Sequence, residues 1–213
     1  IWGIISDPGV FKHPFTGETF PIRAQWVVET AGPNEKLKVP QEAKMWNAEL
    51  HQWQRVSSDT LATSKVTLDF KFSNWHHGQA MDINDILYSL YFTIEWGTQV
   101  DENDRTFDTE FTPRTSQIIQ TIIGVNPIDE DTIEVYVDYW HFDEGEIADW
   151  AVLWSSMPWE VSAAMEKTVI DGKASFSRSG ATSKNVNWLS LIIPIDANLI
   201  RDYLQEFKDS NYI

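Results

Sequence analysis

The side chains most able to do chemistry in this chain are two adjacent histidines, His76-His77, and a dense set of carboxylates. Neighbouring residues on an extended backbone point to opposite sides, so both imidazoles can hold one ion only where the chain bends sharply. His13, His51 and His141 are scattered, and no His-x-x-x-His or His-Glu-x-x-His spacing occurs. The reading is a polar turn beside Gly78, with no metal. Asp101, Glu102, Asp104, Asp108 and Glu110 form an acidic run, but a calcium loop also needs a central glycine, and Arg105 stands inside the run. That pattern is a solvated loop. Ser179-Gly180 lacks the Gly-x-Ser-x-Gly nucleophile elbow, and no glycine-rich phosphate cradle is present. Paired carboxylates work as acid and base only where their surroundings split their pKa values, which no spacing reveals. The residues therefore point away from an enzyme and call for no cofactor.

The elements that would carry these groups follow from periodicity. Val66, Leu68, Phe70 and Phe72 alternate with Thr67, Asp69 and Lys71, the mark of a half-buried strand. Gly78 supplies the turn. Asp82 is placed as a helix N-cap, with Asp85 three residues on as an imperfect capping box, shorter than the preferred Glu. Ile83, Ile86, Leu87, Leu90, Tyr91 and Ile94 then form one apolar stripe, and Gly97 ends it. The expectation is that this helix docks on the strand before it.

Elsewhere, residues 1–30 predict strands around a hairpin with Phe15-Thr16-Gly17-Glu18 at its tip. Residues 35–60 carry Trp46 and Trp53 at helix-compatible spacing and form a hairpin or a short helix. Thr112-Pro113 starts a helix that runs through Thr121. Ile122–Ile128 and Ile133–Tyr139 form a hairpin over Asp129-Glu130-Asp131, with Ile133, Val135 and Val137 facing in and Tyr136 facing out. Pro158–Ile170 is a helix closed by Asp171-Gly172. Residues 173–187 read as a flexible loop and Leu189–Ile193 as a buried strand. Pro194 opens a last helix that buries Leu199, Ile200, Tyr203, Leu204 and Phe207.

Composition bounds the partners. At 213 residues the chain can bury a substantial core as one unit. A net charge of −16 excludes nucleic-acid phosphates and anionic lipid as natural partners. With no cysteine, there are no disulfides, no thiolate catalysis and no Cys-type zinc sites. The 11 tryptophans are chiefly core or interface filling, and Trp150, Trp154 and Trp159 are the candidates for a shared stacking surface.

The stretch from Phe70 to Leu90 resembles the signature of the extracellular solute-binding proteins of family 5, which feed peptides, nickel or oligosaccharides to ABC importers. Trp75, Gly78, Asp82, Asp85 and Tyr88-Ser89 stand where that signature has them, while His77 replaces its usual Asp. Ile1-Trp2-Gly3-Ile4-Ile5 looks like the family's Y/F-E-G-L strand. Pro21–Glu29, with Trp26, looks like its P-x-L-A-x-S-W segment, and Ile122–Val137 looks like its I-x-x-V…D-x-x-T-V hairpin. The matches cover roughly the first 170 residues.

The resemblance implies an α+β fold: the peripheral domain and adjoining part of the first lobe of a type II periplasmic-binding-protein-like fold, with mixed or antiparallel strands flanked by helices. It implies that residues 1–213 are a fragment of a larger two-lobed receptor, that residues 35–60 are an insertion, and that the full-length protein is extracellular or periplasmic and membrane-anchored. The implied function is capture of a peptide or similar solute for an ABC permease. The alternative is a carbohydrate-binding or interaction-only accessory domain. On this reading Trp26, Trp75, Gly78, Asp82 and Asp85 are structural, and Trp2 and Gly3 lie nearest the expected cleft.

Overall fold

The computed structural model describes residues 7–213, so the Trp2 and Gly3 expectation lies outside the described residues. The described chain begins with β1 (Val10–Lys12), β2 (Thr19–Pro21) and β3 (Ala24–Thr30), then β4 (Leu37–Lys38), β5 (Lys44–Asn47), β6 (Gln52–Arg55), β7 (Leu61–Ala62) and β8 (Ser64–Phe70). Helices α1 (Ile83–Gly97) and α2 (Thr112–Thr121) follow, then β9 (Ile122–Pro127), β10 (Thr132–Val137), α3 (Glu144–Ala151) and α4 (Trp159–Ile170). The last elements are β11 (Ala174–Ser175), α5 (Arg178–Lys184), β12 (Asn187–Trp188) and α6 (Pro194–Asp209). The fold is α+β. Its main sheet has six strands in the order β3-β8-β10-β9-β5-β6, every pair antiparallel. Among the described residues no helix is long and apolar enough to cross a membrane.

The alternation in β8 buries Val66, Leu68 and Phe70 on the helix-covered face of the sheet. Helices α1 and α3 close over that face through Ile86, Leu90, Ile94, Ile147, Ala148 and Ala151. Full burial of side chains such as Ile86 and Leu90 contributes about 1.5–3 kcal/mol apiece. The expected stripe on α1 is therefore the core stripe. Its nearest strand is β5, not β8, because β8 is flanked by β3 and β10 and shares its face with α3.

The start of α1 is fixed locally. Gly78 adopts φ +96°, which a side-chain-bearing residue rarely tolerates, and closes the turn through its N–H to the Trp75 carbonyl at 2.8 Å. Asp82 Oδ1 accepts from Asn84 N at 2.7 Å, and Asp85 Oδ2 accepts from Asp82 N at 3.0 Å. The capping box expected to be imperfect is closed; the short Asp85 reaches because the N-cap residue is extended.

Of the two forms expected for residues 35–60, the hairpin is present: Trp46 and Trp53 face each other across β5–β6 with ring centroids 5.7 Å apart, and the pair extends the main sheet from β9. Other expectations need correction. Tyr136, expected in solvent, is buried against Val39, Ala43 and Ala62, because residues 37–62 cover the second face of the sheet. Residues 173–187 are ordered into β11, α5 and β12, with Ser177 Oγ capping α5 by accepting from Gly180 N at 3.0 Å. Leu189–Ile193 forms no strand. Asp196 accepts from Ser190 N at 2.9 Å and draws the segment into a turn that leaves Ile192 86% exposed.

Candidate functional site

The loop between α3 and α4 borders two open cavities, one shared with the turn between β8 and α1 and one with α1 and α4. The first, about 420 Å³, is bordered by Asp7, Arg23, Ser73, Trp75, Met81 and Trp154. The second, about 350 Å³, is bordered by Tyr88, Phe92, Phe111, Trp159, Met165 and Phe176. Trp154, Ser155 and Ser156 line both and form the partition between them.

Asp85 holds these walls together. It is 2% exposed, and its carboxylate accepts from Asp82 N, from Trp75 Nε1 at 3.3 Å and from Trp159 N at 2.8 Å. One side chain thus joins the turn, the start of α1 and the start of α4. Burial raises its pKa, and the three donated bonds only partly oppose that. Trp154 is pinned separately, by its indole N–H to the Asp7 carbonyl at 2.7 Å. Ser155 Oγ accepts from Met157 N at 3.2 Å and donates to the Met157 carbonyl at 2.6 Å, which shapes the partition loop. Large aromatic walls with a few placed polar groups are the usual make-up of a small-molecule cleft.

Behind the second cavity lies a polar network that sequence reasoning missed. Glu166 on α4 is 4% exposed and accepts from Tyr88 Oη, Trp96 Nε1 and, at 3.0 Å, Tyr91 Oη. Burial raises the Glu166 pKa against the pull of those three donors, and raises those of Tyr88 and Tyr91. A second buried carboxylate, Glu95 on α1, accepts from Trp46 Nε1 at 2.6 Å and Thr106 Oγ1 at 3.0 Å, and pairs with His51 Nδ1 at 2.7 Å. These groups bolt α4 and the β5–β6 hairpin to α1. The available signal was the spacing of Tyr88, Tyr91 and Glu95, which puts hydrogen-bonding groups on a buried helix face and so demands partners on its neighbours.

The expected residues divide cleanly. Trp75 and Asp85 meet at the cleft, with Gly78 and Asp82 shaping the turn beside it. Trp26 lies away from it on β3, opposite Leu68, and packs on the main core. Of the three tryptophans proposed as one surface, Trp154 and Trp159 border the second cavity. Trp150 pairs with Tyr139 instead, at 5.3 Å. His76 and His77 line the first cavity from an exposed turn, with His77 Nε2 3.0 Å from Gln79 Oε1. Among the described residues no group of three or more His, Cys, Asp or Glu is placed to hold a metal ion. No protein-family profile matches the chain, and neither does any curated protein.

Proposed function

We propose that the chain is part of the first lobe and peripheral domain of a two-lobed extracellular receptor that captures a peptide or similar solute and passes it to an ABC permease. The observation that carries this reading is the coincidence of motif and cleft. The Ser73–Ala80 turn, part of the Phe70–Leu90 stretch that resembles the family signature, is one wall of the first cavity, and Asp85 ties it to the opposite wall. A cleft held open by buried bonds binds without first paying to order its walls. Its mixture of indole faces, serine hydroxyls and one guanidinium suits a small ligand with apolar and polar parts. Closure of a second lobe over the occupied cleft is the conformational step such a receptor uses.

Trp150 stands apart from Trp154 and Trp159, so the three do not form one sugar-stacking platform. Titration calorimetry against di- to pentapeptides, with oligosaccharides in parallel, tests the proposal. Peptides are expected to bind and to be recovered intact. Binding of saccharides alone, or cleavage of the peptides, overturns it.

A further inference from the structure

Arg23 stands apart from the other paired cations in this acidic chain. Lys12, Lys65, Lys167 and Arg201 each hold a carboxylate at 2.5–2.9 Å, and Lys36 holds Asp138. The acid beside Arg23 is Asp7, whose Oδ2 is 3.4 Å from Nη1 and whose side chain is 71% exposed. Arg23 itself is only 21% exposed. Its Nη2 donates to Ser73 Oγ at 2.6 Å, while its Nε is enclosed and has no hydrogen-bond acceptor among the described residues. A guanidinium carries five N–H donors in a rigid fork. Among the described residues, a long contact to an exposed aspartate and one serine hydroxyl are all that meet them. The enclosed Nε lies out of a ligand's reach, and the weakly held part of the fork is Nη1, whose partner is the exposed Asp7 at 3.4 Å.

The backbone around Arg23 is tightly held. Its N–H reaches the Gly9 carbonyl at 3.0 Å, and its carbonyl accepts from Lys71 N at 2.7 Å. The base of the side chain is therefore fixed at the corner where β3 meets the end of β8. The guanidinium borders the first cavity together with both its partners, Asp7 and Ser73, and with the indoles of Trp75 and Trp154.

We infer that Arg23 is the anchor of a carboxylate-binding subsite in the first cavity. The ligand's carboxylate takes the place of the Asp7 side chain on the guanidinium, and an apolar part of the ligand lies against Trp75 and Trp154. The inference rests on the receptor reading above and narrows its ligand to a solute bearing a carboxylate. A carboxylate fits the guanidinium fork through two parallel bonds, which a single long contact to Asp7 does not supply. Exchange costs little, because Asp7 turns out into water from a position already mostly hydrated. Ser73 holds the guanidinium in place in both states.

The test is calorimetric titration with three probes: alanyl-phenylalanine, its C-terminal amide, and alanyl-glutamyl amide, whose only carboxylate is on a side chain. Wild-type protein is compared with Arg23→Gln and Arg23→Lys. The free acid is expected to bind about ten- to a hundredfold more tightly than its amide, the range of a charge-assisted pair. That preference disappears in Arg23→Gln and is reduced in Arg23→Lys, which keeps the charge but loses the fork. Binding of alanyl-glutamyl amide identifies a side-chain carboxylate as the anchored group, and its failure beside tight binding of the free acid identifies the main-chain one; both are the inferred chemistry. Equal affinity for acid and amide in the wild type, or an acid preference that survives in Arg23→Gln, removes the subsite and leaves the receptor reading standing. No binding of any peptide removes the subsite, since Arg23, Trp75 and Trp154 all lie in this chain. The acid–amide comparison in the unmutated protein decides the matter even where Arg23→Gln fails to fold.

Discussion

Replacing Asp85 with alanine cuts the tie between three segments at once. The substitution strands the main-chain N–H groups of Asp82 and Trp159 and the indole N–H of Trp75, which now bond to one carboxylate at 2.8–3.3 Å. An unsatisfied buried donor costs about 1–3 kcal/mol. The three losses share one network, so they do not add. Removing the charge also relieves a desolvation penalty, evident in the raised pKa of Asp85. The net expectation is a loss of about 2–4 kcal/mol, or a fall in Tm of about 5–15 °C for a chain of this size. Asp85→Asn keeps a carbonyl for one of the donors and is expected to lose about half as much. Urea unfolding followed by tryptophan fluorescence and far-ultraviolet circular dichroism measures both. A loss under about 0.5 kcal/mol for Asp85→Ala, with an unchanged m-value, would refute the reasoning, since surface substitutions already fall in that range.

Three further outcomes follow from the same packing. A Cβ on Gly97 would overlap Thr115 Oγ1 and lie 2.6 Å from the Thr115 Cβ, so Gly97→Ala is expected to lower stability by about 1–3 kcal/mol in thermal unfolding, although alanine is the better helix former. The folded-state pKa of Glu166 lies above its ordinary 4.5, so the folded chain holds that proton more tightly than the unfolded one. Its contribution to stability is therefore undiminished in acid and is lost as pH rises from 4.5 through the folded value. Glu166→Gln should flatten that part of the pH–stability curve in denaturant titrations, and a wild-type advantage that grows with pH would contradict the assignment. Ser177→Ala removes the cap of α5 and should cost about 1 kcal/mol in the same unfolding assay.

The strand–turn–helix unit was legible because each of its signals is local. Alternation in β8, a glycine at positive φ, the Asp82 cap and the stripe through Ile86, Leu90 and Ile94 all act within a few residues of one another. What the sequence concealed depends on distant partners. A spacing of seven between Trp46 and Trp53 suits two turns of helix as well as a hairpin, and only pairing of β5 with β9 decides between them. Tyr136 lies on the face that alternation assigns to water, but residues far earlier in the chain cover it. Leu189–Ile193 is apolar enough for a buried strand, yet only Leu189 N–H continues the ladder, to the Ser175 carbonyl at 2.9 Å, before the Ser190–Asp196 bond turns the chain away. Glu166 reads as a surface residue of an amphipathic helix until Tyr88, Tyr91 and Trp96 are brought to it from α1. In the cleft, Trp75 and Asp85 both stand in the motif the resemblance marks as structural, but the bond between them shows only in the fold. Arg23 carried no signal, because its significance is the weakness of its pairing and that is a property of distances.

The claim that the cleft between the β8–α1 turn and the α3–α4 loop is a ligand site is tested most directly by following the indole N–H resonances in ¹H–¹⁵N spectra during titration with alanyl-phenylalanine. The account predicts the largest saturable shifts for Trp75 and Trp154, which line the first cavity, and smaller ones for Trp46 and Trp53, which do not. Shifts confined to Trp46 and Trp53, or no indole shift at any peptide concentration, would contradict it.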